Sequence, residues 1–126
     1  MPEFFGTIGG FTNNSYIGLR WTVSGVPAGS TIATGELIIK PTETSSDSAS
    51  IIDKTITPSN VAGTGQVEDV GSTGVGIIRF DMPPSDTVKL IPGTKYTYWV
   101  EIVLNTSEKT IVEKGTIFAE QGSEHA

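Results

Sequence analysis

The sequence predicts an all-β fold, an antiparallel sandwich of short strands. Three observations predict it. Apolar residues recur at every second position in run after run. No stretch sustains the i, i+3, i+4, i+7 spacing of a helix face. Fifteen glycines and seven prolines divide the 126 residues into short segments, as turns between strands require.

The elements follow in order. In "SYIGLRWTVSG", Ile17, Leu19, Trp21 and Val23 share one face, and Tyr16, Gly18, Arg20 and Thr22 share the other. That is a half-buried strand with its apolar side inward. "STIATGELIIK" forms a second strand, closed by Pro41, which has no N–H to continue a ladder. The small, polar "PTETSSDSAS" reads as a loop. "IIDKTIT" and "GQVEDV" are short strands, and "GVGIIRFDM" is a stronger one with Ile78, Phe80 and Met82 on one face. "KYTYWVEIVLN" is the clearest strand, turning Tyr96, Tyr98, Val100, Ile102 and Leu104 to one side. "NTSE" joins it as a hairpin loop to "KTIVEKGTIFAEQ", where Gly115 marks a bulge or a close backbone neighbour.

Between the last two sheet crossings lies a corner. Pro83 and Pro84 end the strand carrying Phe80. Asp86 is then expected to accept from backbone N–H groups of a short turn through "DTVKL". Leu90, Pro92, Gly93 and Tyr96 have the spacing of a tyrosine corner, whose ring enters the core and whose hydroxyl returns to upstream backbone. Its role is architectural.

The segment from Gly76 to Glu120 resembles the C-terminal half of the immunoglobulin-like domain of tailed-bacteriophage virion proteins, as in the siphophage baseplate upper protein family. The matching features are the strand Ile78–Met82, the Asp86-Thr87 turn, the Leu90–Gly93 corner, the Tyr96–Leu104 strand, the hairpin, and the final strand around Gly115. Ahead of it, "LRWTVSG" resembles the strand with a buried Trp, without the element that follows in the family. A fibronectin type III domain shares the corner and a Trp, with a shorter separation than that from Trp21 to Tyr96. The resemblance implies an immunoglobulin-like or fibronectin III-like sandwich and a non-enzymatic structural role in the virion. It implies attachment to other virion proteins and to copies of the same chain, as head decoration or in the tail, baseplate or fibre attachment.

Composition narrows the partners. A chain this long makes one domain and buries roughly two thirds of its unfolded surface, so it needs no disulfide and, with no cysteine, has none. A net charge of −6 argues against nucleic acid. The opening "MPEFFGTIGG" has no basic n-region, so no secretion signal is expected, and no apolar run approaches a membrane span.

No catalytic group, cofactor or metal is predicted. The one histidine, His125, falls in the tail 121–126, which is expected to fray, so no triad can be pre-organised around it. Glu68 and Asp69 are adjacent in a strand and point apart. Asp81 and Asp86 flank the corner and could offer oxygens to Ca²⁺, but there is no Asp-x-Asp-x-Asp-Gly loop, and a turn cap plus a strand-end acid is the favoured reading. "AGTGQVEDVGSTGVG" lacks the Lys and the following helix of a phosphate cradle.

Two surfaces remain as candidates. Trp99 alternates outward beside Glu101 and Val103, where it would anchor a protein, stack on a sugar, or be covered by the N-terminal segment. Residues 1–14 form an aromatic, glycine-rich arm carrying Phe4, Phe5 and Phe11, ahead of a sandwich over 15–120. The arm either supplies the first strand or docks on a neighbour, and docking is the expectation. The competing functional class is a carbohydrate-binding or adhesion module, with Trp99 and Tyr16 stacking on a host-surface glycan.

Overall fold

A computed structural model describes residues 5–9, 11–45 and 49–120. Among the described residues eight strands follow one another: β1 Phe5–Ile8, β2 Ile17–Ser24, β3 Ile32–Lys40, β4 Ile52–Ile56, β5 Gly65–Asp69, β6 Val75–Met82, β7 Tyr96–Leu104 and β8 Lys109–Ile117. A single helical turn, α1, spans Pro84–Thr87. The strands form a five-stranded sheet in the order β1-β8-β7-β3-β4 and a three-stranded sheet in the order β2-β6-β5.

Alternation along each strand fixes which side chains meet between the sheets. Tyr98, Val100, Leu37 and Ile39 of the larger sheet are fully buried, as are Ile78, Phe80 and Met82 of the smaller one. These residues belong to one continuous apolar cluster. Trp21 packs edge-on against Phe80 at 5.9 Å and tilted against Tyr98 at 6.3 Å, linking the two sheets.

Two expectations need correction. The arm drawn over residues 1–14 is not separate from the sandwich among the described residues: Phe5–Ile8 pair with Lys114–Ile117. Further along, Asn13 N–H donates to the Glu120 carbonyl at 2.8 Å, and its side-chain amide donates to the Leu90 carbonyl at 3.0 Å. The first strand is thus supplied by the chain's own N-terminal segment. Its pairing is also parallel, so the sandwich is not wholly antiparallel.

The physical reason lies in two facing glycines. A Cβ on Gly115 would fall 2.7 Å from the Gly6 backbone nitrogen, and one on Gly6 would fall 2.5 Å from the Tyr98 hydroxyl. Only with both side chains absent can β1 approach β8 this closely. Of the two readings of Gly115, a bulge or a close backbone neighbour, the second holds at the residue itself. A register shift lies near it, between Val100 and Glu101.

Candidate functional site

The corner builds as its spacing predicts. Ile91 N–H donates to the Tyr96 hydroxyl at 3.0 Å, and the Tyr96 ring is buried. Leu90 is fully buried beneath the turn, whose ends are tied by Thr94 N–H to the Ile91 carbonyl at 3.0 Å. Pro92 is half-buried and Gly93 is exposed; Gly93 takes a φ of 81°, a conformation that glycine adopts without a Cβ penalty. Its N–H reaches the Ala119 carbonyl at 3.0 Å.

Asp86 does not cap this turn. The residue preceding α1 is Pro83, and no side chain caps the helix. Instead the Asp86 carboxylate turns to the Lys54 ammonium at 2.6 Å, with both side chains largely shielded from water. Lys54 also donates to the Gly63 carbonyl at 2.7 Å, so one cation on β4 ties down two turns. The polar anchor of the corner is Thr87, fully buried, whose hydroxyl donates to the Ser15 carbonyl at 2.6 Å and accepts from Ser15 N–H at 2.9 Å. Asp81 pairs with Arg79 at 3.1 Å. The two acids weighed as calcium ligands are thus each held by a different cation.

The outer face of the smaller sheet is an ion-pair network. Arg20 and Arg79 lie opposite each other across β2 and β6, an arrangement that like charges disfavour. The Glu68 carboxylate joins them, accepting from Arg20 at 2.7 and 2.9 Å and from Arg79 at 2.6 Å. The Arg20 hydrogen bond does most to hold the Glu68 carboxyl down at about 2. Asp69 instead accepts from Gly71 N–H at 2.9 Å, so the adjacent acids serve separate roles.

Trp99 sits on the outer face of the larger sheet, in register with Ile38 on β3 and Lys114 on β8. The Lys40 ammonium lies 4.7 Å from its ring centroid. A groove of about 150 Å³ runs beside it, lined by Glu36, Ile38, Lys40, Asp53, Glu101 and Lys109. Of the other aromatic candidates, Phe11 is half-buried against the core and Tyr16 is 60% exposed. Phe5 lies in β1 in register with Lys114; Phe4 lies outside the described residues.

The groove brings together carboxylates that sequence reasoning did not connect. Glu36 faces Glu101 directly across β3 and β7, and Asp53 sits diagonally on β4. Burial, followed by the hydrogen bond to Asp53 and its charge, pushes the Glu36 carboxyl up to about 7, with Lys109 pulling the other way. The fold therefore favours protonated Glu36. That contribution is complete below pH 4.5, the ordinary value, and is lost as pH rises through about 7. Glu36→Gln should raise stability by about 1 kcal/mol at alkaline pH, allowing for solvent screening, and change it little in mild acid. Urea titrations at the two pH values check this.

A second missed group is Tyr98, which the alternation marked only as core. Its hydroxyl donates to the Glu113 carboxylate at the seam between β1 and β8. Burial, and then Glu113, raise its phenol above the ordinary value. The signal that could have found it is parity: Glu113 and Tyr98 both fall on inward positions beside Gly115.

These arrangements fasten strands and turns and leave two decorated sheet faces. The described residues form a two-sheet all-β domain whose smaller sheet carries an ion-pair network on its outer face. No protein-family model matches the chain, and no curated protein matches it.

Proposed function

We propose that the chain is a non-enzymatic, immunoglobulin-like building block of a tailed-bacteriophage particle. The observation that carries the topological part is the strand order. Labelled A′, B, C, C′, D, E, F and G, the strands run B-E-D in one sheet and A′-G-F-C-C′ in the other. This order supports an immunoglobulin-like reading, with C′ added and the first strand lying beside G instead of B, and the position of Tyr96 at the start of F supports reading it as the corner tyrosine. Where antibody domains join B to F by a disulfide, this cysteine-free chain sets Trp21 on B against Tyr98 on F.

The particle setting rests on the resemblance of Gly76–Glu120. In this reading the acidic domain presents the Trp99 face of the larger sheet to other virion proteins, with copies of itself alongside, as head decoration or in the tail, baseplate or fibre attachment. Trp99 is half-exposed at the centre of that face, as an aromatic anchor requires. The glycan reading meets an obstacle at the same place, because Lys40 lies over the ring a sugar would need.

Trp99→Ala is expected to keep the fold and to reduce incorporation into particles at least tenfold, as loss of one anchor does. Quantitative immunoblotting of purified particles against the free pool measures it. A glycan array run with both proteins is the control: saccharide binding lost on mutation, with incorporation unchanged, would replace this reading by the adhesion one.

A further inference from the structure

Four strands stand at sheet edges, and three of them are poor templates for further pairing. β1 has four residues. β4 has five and carries Asp53 and Lys54. β5 has five, with Glu68, Asp69 and a register shift after Val67. Such short, charged or irregular edges are how soluble sheets avoid recruiting other strands. β2 is the least protected of the four. It runs for eight residues, carries one charge, Arg20, and among the described residues pairs only with β6.

The sandwich is also open along this edge. Ile17, Leu19 and Trp21 point inward yet are only half-buried, while their partners on β6, Met82, Phe80 and Ile78, are fully buried. At the far end of β2 a cleft of about 290 Å³ opens between the sheets, lined by Val23, Gly25 and Val26 on one side and by Ile102, Leu104 and Val112 on the other. One end of the strand thus offers apolar side chains, and the other offers a cleft whose apolar lining is bordered by Glu108 and Thr110.

We infer that β2 pairs with β2 of a second copy, antiparallel, about a two-fold axis at Trp21. An isologous contact of this kind requires a surface complementary to itself, and the strand's sequence supplies it. The register sets Leu19 opposite Val23 and Ile17 opposite Gly25 of the other chain, so each copy's half-buried pair enters the other's cleft. Arg20 meets Thr22, and no like charges face each other. The two three-stranded sheets become one continuous sheet. The inference does not depend on the virion reading.

Thr22 is exposed and turned away from the core, so charge placed there tests the interface without disturbing the fold. Sedimentation velocity on the full chain, from about 1 µM to about 1 mM, should show a monomer–dimer equilibrium. Thr22→Arg opposes two like charges twice and should weaken dimerisation about tenfold, whereas Thr22→Glu faces Arg20 and should strengthen it several-fold. Thermal melting of the monomers at low concentration separates any effect on the neighbouring Arg20–Glu68–Arg79 network from the effect on pairing. A chain that stays monomeric throughout, or a dimer indifferent to both substitutions, overturns the proposal.

Discussion

Replacing Gly115 by alanine is expected to unseat β1 from the sheet. The added methyl would overlap the Gly6 carbonyl and lie 2.7 Å from the Gly6 nitrogen, and these are backbone atoms with no rotamer through which to move away. β8 is held on its other side by β7 along its whole length, so β1 is the element that yields. Releasing it removes the parallel pairing of Phe5–Ile8 and uncovers the Tyr98–Glu113 pair. We expect a loss of about 3 kcal/mol, in the upper range for single substitutions and bounded by what β1 contributes. Amide exchange at residues 5–8 should rise to that of a free chain, while β6 and β7 stay protected. An unchanged melting curve with β1 still protected would mean that the close approach of the two glycines is wrong.

The second large effect is expected at Lys54. Lys54→Met removes the cation from Asp86 and the donor from the Gly63 carbonyl, leaving both acceptors in a poorly hydrated place. Breaking a shielded pair on one side costs about 3 kcal/mol, whereas replacing both partners with uncharged groups costs far less. Lys54→Met with Asp86→Asn should therefore recover most of the loss. A double-mutant cycle by urea denaturation measures the coupling. Additive losses would show that the two residues do not act as a pair. The loss should also loosen the corner, because Asp86 lies in the helical turn that leads to Leu90 and Tyr96.

Most strands were legible because burial on one face writes itself into the chain at every second residue. β2, β6 and β7 show this plainly, and the inward sets named from the sequence are those that face the core. The corner was legible for a related reason: its proline, glycine and tyrosine act within seven residues, so their spacing carries the geometry. β1 was legible only as one of two readings of the arm. "FGTI" has no useful alternation, and its place depends on a glycine more than a hundred residues away.

The candidate site was readable only in part. Parity alone turned Trp99 outward. It could not show that Lys40 covers the ring, because β3 and β7 become neighbours only through the order of strands in the sheet. The same holds for Glu36, Asp53 and Glu101, which lie on three strands, and for Asp86, whose partner is thirty-two positions earlier. Local sequence states what a residue prefers; the partner it finds is decided by topology.

The proposed role, a domain that serves a phage particle by presenting a sheet face, is best examined by cryo-electron microscopy of purified particles made with the chain present. Density for the two-sheet domain is expected, with the Trp99 face of the five-stranded sheet against another virion protein. Fully assembled, infectious particles with no trace of the chain would overturn the proposal.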